Sequence, residues 1–475
     1  RLQARVIEHR QLNTEGESKN MLISKFSGLS TRVALVVFAG MAALLQSQTA
    51  LAALPIQHWT QTSGAQVYLV ESHGIPMLDV QIDFDAGSRR DPTDKAGLAS
   101  MVANMSAKGV AAKAGAPALG ENQLSEAWAD LGAAFSASSG NDRMSFSLRT
   151  LSYPDLLPKA VALAARQIGE PSFTETIWLR ERERIGAAIR EANTRPATLA
   201  AKAFSAAVYG NHPYGFETTE ISMGRTSVAD MRQFYTRFIQ PCRAKVSVVG
   251  DVTRAQADAL VKALLARLPQ SEAARCEALP TVADVAALKA PVNAAIAFES
   301  AQAHVLIGQP GYKRSDPDFF ALTVGNYTLG GGGFVSRLTT EVREKRGLTY
   351  SVYSYFAPGL HEGAFTIGLQ TRPDQAAQAV RVAREVLAKF VAEGPTEAEL
   401  KAAKDNLMGG FPLLIDSNAK LIANVANIAW NNLPLNYLDT WTAQVEKITA
   451  TDIKAAFARK LQPDRMVTVV LGAGA

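Results

Sequence analysis

The chain has 475 residues, 47% of them hydrophobic and 20% charged, with a formal net charge of +5. That balance excludes a disordered or fibrous chain and leaves enough apolar material for two or more domains with real cores. So small an excess of positive charge, part of it near the N-terminus, gives no reason to expect a nucleic-acid partner.

Residues 1–20, RLQARVIEHRQLNTEGESKN, contain no Met and no apolar periodicity, and are expected to be a non-native upstream extension. Met21 then opens a secretory signal pattern over 21–52: Lys25 and Arg32, the apolar run Val33–Leu45, and the A-x-A site Ala50-Leu51-Ala52. The apolar run is thirteen residues long, short of the roughly twenty that a spanning helix needs. No stable membrane anchor is therefore expected after cleavage, and the mature chain is expected in the periplasm.

After the turn at His73-Gly74, Leu78, Val80, Ile82 and Phe84 alternate with Asp79, Gln81 and Asp83, which predicts a half-buried strand. AGLASMVANMSAKG, from Ala96 to Gly109, predicts a helix with Leu98, Met101, Val102 and Met105 as its core stripe. On another face of that helix, Ser100, Ala103 and Asn104 stand at i, i+3 and i+4. The spacing suits metal chemistry, whereas the residues do not. Of the histidines, His9, His58, His73, His212, His304 and His361, no two stand at metal-ligand spacing, and His212 beside Pro213 reads as a structural hydrogen-bonder. Cys242 and Cys276 are too few for a disulfide scaffold and compatible with one bridge, and the sequence leaves open whether they pair.

Asp230–Gly250, DMRQFYTRFIQPCRAKVSVVG, and Asp452–Gly472, DIKAAFARKLQPDRMVTVVLG, align without a gap at a constant offset of 222 residues. Each reads as an amphipathic helix running into a strand. VQIDFDAGSRRDPTDKAGLA from Val80 also resembles VLIGQPGYKRSDPDFFALT from Val305. The chain is therefore a duplication, with an N-terminal domain at 54–268, a linker at 269–293 rich in Ala, Pro and Glu, and a C-terminal domain at 294–475. The expected fold class is α+β: two homologous domains, each a mostly antiparallel sheet with helices packed on one face. In the second half, Thr396 and Glu399 form a capping box. The run Gly330–Gly333 lacks the Gly-Lys-Ser/Thr of a phosphate loop.

AGSRRDPTDKAGLASMVANMSAKG resembles the N-terminal helix region of the insulinase-like, or pitrilysin, zinc metallopeptidase family, whose catalytic members carry an inverted motif H-x-x-E-H there. The resemblance places Ser100 and Asn104 at the two His positions and Ala103 at the Glu that activates the zinc-bound water. RERERIGAAIREANTRP places Ala188 at the third ligand position and Glu181 at a nearby supporting acid; Glu181 itself follows Asn104 by 76 intervening residues, close to the family's spacing to the ligand, an offset ascribed to the extra residues around AAKAGAPAL. YGNHPYG and VVGD occur in the family's order. NYTLGGGGFVSRLTTEVREKRGLTYSVY resembles the signature of the family's C-terminal domain, in which an Arg and a Tyr seven residues later reach substrate held at the zinc; these fall on Arg343 and Tyr350. An edge strand that binds substrate backbone would be AAFSASSGND, with Ser136 where the family usually has Asn.

Half a site implies a non-catalytic subunit of the bacterial heterodimeric branch, similar to mitochondrial processing peptidase subunits. The resemblance implies that this chain holds no metal and that zinc belongs to a paralogous partner subunit. Together the two would hydrolyse peptide substrates, with Arg343 and Tyr350 serving in trans. A pseudoenzyme scaffold without a part in proteolysis is the alternative, and an active protease with an unorthodox site the least favoured.

Overall fold

The computed structural model describes residues 55–113, 115–269 and 276–472. The upstream extension and the signal segment lie outside the described residues. Among the described residues no helix is long and apolar enough to cross a membrane.

The first half contains β1 (Gln57–Thr60), β2 (Gln66–Glu71), β3 (Met77–Phe84), a two-residue pair β4 (Gly109–Val110) and β5 (Leu119–Gly120), then β6 (Ala134–Ser139), β7 (Met144–Leu151) and β8 (Lys245–Gly250). Six of these form one sheet in the order β1-β2-β8-β3-β7-β6. The second half contains β9 (Val292–Ile296), β10 (Ala303–Tyr312), β11 (Val352–Phe356), β12 (Gly363–Thr371) and β13 (Val467–Leu471), in the order β11-β12-β10-β13-β9. Read from its other edge, the second sheet repeats β2-β8-β3-β7-β6 strand for strand. Even the single parallel pair recurs, β2 with β8 and β9 with β13. The duplication seen in the sequence is thus a duplication of topology, and β1 is an addition to the first copy.

Helices of each half cover one face of its own sheet. Leu78, Val80, Ile82 and Phe84 of β3 pack there with Leu98, Met101 and Met105. The alternation predicted a half-buried strand, yet Asp79 and Asp83 are buried as well. The other face of the first sheet is occupied by a helix from the second half, Asn418–Trp430, which lies on β8, β3 and β2. Its Leu421, Ile422 and Val425 share a core with Tyr68, Val70 and Val249. In return the first half's helix Pro196–Tyr209 lies on β10 and β13, with Phe204 and Val208 against Val467, Val469 and Leu471. These two helices are repeat mates at the same 222-residue offset. Each fully buried Leu, Val or Phe contributes roughly 1.5–3 kcal/mol, so the exchange couples the halves strongly. The described residues accordingly belong to one compact unit.

Polar groups complete the exchange. The first half's Lys245 Nζ donates to the carbonyl of Ala429 at 2.7 Å and to Asn432 Oδ1 at 2.7 Å. Arg143 donates to the carbonyl of Ala426 at 3.3 Å. Both cations sit over the Trp430 ring. They meet the carbonyls of the last turn and the negative dipole end of the second half's helix. Burial pulls the Lys245 ammonium down to about 8, against the opposing pull of Asp83.

The stretch that reads as a linker is held along its described part. Cys276 is disulfide-bonded to Cys242, with a Cα–Cα distance of 5.6 Å. The carbonyls of Glu277, Pro280 and Ala283 accept from Arg243, Arg90 and His212. Asp284 meets His361 and Lys313, and Glu362 accepts from the Val285 N–H.

Candidate functional site

The helix Leu98–Ser106 begins at Gly97, whose φ of +96° and contact with Thr218 leave no room for a side chain. The buried Asp91 carboxylate accepts from the Gly97 and Ala99 N–H groups, each at 2.8 Å, and so satisfies donors that the first turn leaves unpaired. Leu98, Met101, Val102 and Met105 are buried as the stripe requires. On the other face Ser100 is exposed, Ala103 is buried, and Asn104 is half-buried with its Oδ1 lacking a hydrogen-bond partner.

The opposing helix Glu175–Ala192 places Ala188 at the surface and Glu181 in the interior. Arg184 and Arg180 hold the Glu181 carboxylate at 2.8 and 2.9 Å, and Lys108 stands 3.6 Å away. Burial alone would raise this carboxyl; the hydrogen bonds from Arg184 and Arg180 and the charge of Lys108 outweigh it and hold Glu181 below the usual range. Its oxygens are engaged by cations. Zinc is held by imidazole, thiolate or carboxylate, and a hydroxyl, an amide and two methyl groups at the four motif positions do not fit it. Among the described residues no group of three or more His, Cys, Asp or Glu is placed to hold a metal ion.

The second half's counterpart segment is built differently. The helix Phe319–Asn326 widens into a π turn at Tyr327–Gly331, closed by the Gly332 N–H on the Tyr327 carbonyl at 2.8 Å. The glycines are packing requirements of that turn. A Cβ at Gly330 would lie 2.4 Å from Ser354 Oγ, and one at Gly332 would lie 2.7 Å from the Tyr327 carbonyl. A second π turn, Thr339–Glu344, carries Arg343. Such turns are rare and concentrate at functional sites; no local pattern in the sequence announces them.

Between Arg343 and Tyr350 the chain reverses at Gly347, with φ of +60°. Tyr350 is 85% exposed and leads into β11, whose outer edge is unpaired. Arg337 pairs with Glu399, and Lys345 and Arg346 pair with Glu341. Among the described residues Arg343 has no carboxylate partner; its guanidinium lies 4.6 Å from the centre of the Phe334 ring. No hydrogen bond or ion pair joins Arg343 or Tyr350 to Ser100, Ala103, Asn104 or Ala188 among the described residues. In the first sheet β6 is one of the two edge strands, opposite β1, and Ser136 is exposed on it.

The models for two adjoining families match the chain in order: insulinase (peptidase family M16) over residues 66–220 and the peptidase M16 inactive domain over 225–407. A crystal structure of a peptidase M16 inactive domain from Pseudomonas fluorescens is 33% identical, covers 88% of this chain and 98% of its own, and superposes with a TM-score of 0.82. The chain belongs to the M16 peptidase family. A non-peptidase homologue from Helicobacter pylori is 26% identical over 391 residues, 81% of this chain and 86% of that protein. An uncharacterised zinc protease of Mycobacterium leprae is 31% identical over 272 residues, and the match spans only 60% of its length. This M16 member has none of the motif's side chains at Ser100, Ala103 and Asn104, while Arg343 and Tyr350 lie inside the stretch matched by the inactive-domain model.

His212 acts as the sequence suggests. Its Nδ1 accepts from the Tyr214 N–H at 3.1 Å, and its Nε2 lies 3.0 Å from the Ala283 carbonyl. Sequence reasoning missed what lies beside it. Tyr214 donates to Asp142 at 2.6 Å and accepts from the His361 N–H at 3.2 Å, which joins the halves through a buried polar contact. No local signal links residues so far apart in the chain.

Proposed function

We propose that this chain is the non-catalytic partner subunit of a two-chain M16 peptidase, working in the periplasm beside a zinc-bearing paralogue. In this reading it closes one side of a chamber for unfolded peptides. Arg343 binds a substrate carbonyl or carboxylate through its planar fork, and Tyr350 donates a hydrogen bond to the oxyanion that develops as the peptide bond is attacked. Metal chemistry belongs to the partner. The observation that carries the reading is an asymmetry: no zinc-motif position holds an imidazole or a carboxylate, whereas Arg343 has no carboxylate partner among the described residues and Tyr350 stands in solvent. The disulfide suits an oxidising compartment.

A second reading, a scaffold with no part in proteolysis, is favoured by the likeness to a non-peptidase homologue. The two separate in one experiment. Purified alone, the chain should carry no stoichiometric zinc and cut no peptide; co-expressed with an M16 paralogue that has an intact H-x-x-E-H, it should restore cleavage. Arg343→Ala with Tyr350→Phe should then abolish most of that cleavage while the two chains still co-purify. Full activity of the doubly substituted complex refutes the catalytic role and leaves the scaffold.

A further inference from the structure

Four cations stand within ten residues at Arg337–Arg346, and three of them are ion-paired. Arg337 is held by Glu399 at 2.7 Å, and Lys345 and Arg346 are held by Glu341 at 2.7 Å each. Arg343 differs from its neighbours. Among the described residues it makes no ion pair, and its guanidinium carbon lies 4.6 Å from the centre of the Phe334 ring. A cation near a ring face is attracted by the ring quadrupole, and that contact uses none of the five guanidinium N–H donors in an ion pair. Among the described residues no hydrogen bond or salt bridge takes the donors of Arg343.

Phe334 has no core role to explain it. It is 67% exposed and forms no aromatic pair among the described residues. The chain presents it deliberately in a geometric sense. The first π turn ends at Gly331–Gly332, Gly333 takes φ of +59°, and Phe334 follows at once on a short 3-10 turn, Gly333–Val335. Arg343 stands on the second π turn, Thr339–Glu344. Two wide turns and a left-handed glycine therefore bring one exposed ring under one unpaired guanidinium.

We propose that Phe334 is a positioning residue for Arg343, a ring that holds the guanidinium by its face and leaves the whole fork available to substrate. The proposal rests on the reading of Arg343 as a substrate-binding group. An acidic side chain in place of the ring would also hold the arginine, but it would occupy the donors that substrate needs. An aliphatic side chain would leave a long, exposed side chain to sample many rotamers, and the entropy of ordering it would fall on substrate binding.

The test uses the complex of this chain with its zinc-bearing paralogue and a quenched fluorogenic peptide derived from reduced, unfolded casein. Phe334→Leu should lower kcat/KM about two- to fivefold, the range of an exposed cation–π contact. Phe334→Tyr and Phe334→Trp should restore it, Trp at least to the level of Phe. In an Arg343→Ala background, Phe334→Leu should have no further effect, because nothing remains to be positioned. A merely structural apolar role predicts the opposite order, with Leu tolerated and Trp worst, and that order overturns the proposal. Equal losses from Phe334→Leu with and without Arg343 also overturn it, since the ring then acts independently. If Arg343→Ala itself leaves cleavage unchanged, the substrate-binding reading falls and this proposal falls with it. If Arg343→Ala cripples cleavage and Phe334→Leu does not, only the positioning role is lost.

Discussion

Replacing Tyr214 with Phe should weaken the junction between the halves without changing its shape. The phenol donates to the Asp142 carboxylate at 2.6 Å and accepts from the His361 N–H at 3.2 Å, and Tyr214 and His361 are both buried. Burial and the adjacent Asp142 charge push the phenol far up, so it remains a donor at any accessible pH. Removing it deletes a hydrogen bond to a charged acceptor, worth about 1.5–3 kcal/mol, and strands a buried N–H, worth about 1–3 kcal/mol more. Asp142 keeps the Leu360 N–H at 2.9 Å and Arg89 at 3.2 Å, which blunts the first loss. A net loss of about 2–4 kcal/mol is therefore expected. Urea unfolding should show it as a lower midpoint at unchanged slope, and hydrogen exchange at the His361 amide should quicken. Tyr153→Phe, at an exposed site, should change nothing. A Tyr214→Phe loss below about 0.5 kcal/mol, within the range of ordinary surface changes, or one undiminished in an Asp142→Asn background, refutes the reasoning.

Asp91 gives a pH signature. Burial pushes its carboxyl from 3.8 up to about 7, although the N–H groups of Ala99, Gly97 and Leu98 favour the charged form. Between those values the folded chain binds more protons than the unfolded one, so this group's contribution is full below 3.8 and is lost as pH rises through about 7. Asp91→Asn should flatten that slope in urea titrations across the same window; an unchanged slope would contradict it. Ser100→His, Ala103→Glu, Asn104→His and Ala188→Glu together should give a chain that retains one zinc through dialysis, measured by metal analysis. The same occupancy with Ala188 left unchanged would show that Glu181, not position 188, is the third ligand site. Finally, Trp128 and Trp178 report on the first half's core and Trp441 on the second's. Single-tryptophan variants should unfold at one coincident midpoint, because each half's sheet is covered by the other's helix; separate midpoints would mean the exchange contributes little.

The helix Leu98–Ser106 was legible because its information is local. Leu98, Met101, Val102 and Met105 mark the buried stripe by spacing alone, and that stripe fixes which face Ser100, Ala103 and Asn104 occupy. Arg343 and Tyr350 were singled out by resemblance over a contiguous stretch of residues. The π turns beneath them were not, since an extra residue in a helical turn leaves no periodic trace over so few positions. The described part of the linker, rich in Ala and Pro, showed no pattern because its partners, among them Arg90, His212 and His361, lie elsewhere in the chain.

By itself the sequence determined the duplication, the strand around Val80 and the helix after it, and the helix–strand unit that closes each copy. A 222-residue repeat and a period of hydrophobic residues are properties of the chain read in order. Tertiary structure decided that the copies are interlocked, with Pro196–Tyr209 on the second sheet and Asn418–Trp430 on the first. It also decided that Asp79 and Asp83 are buried under a neighbour rather than facing water. An amphipathic helix advertises an apolar face but not whose sheet that face will cover. That choice is made by shape and by cations such as Lys245 and Arg143, which meet the incoming helix only once the chain has closed on itself.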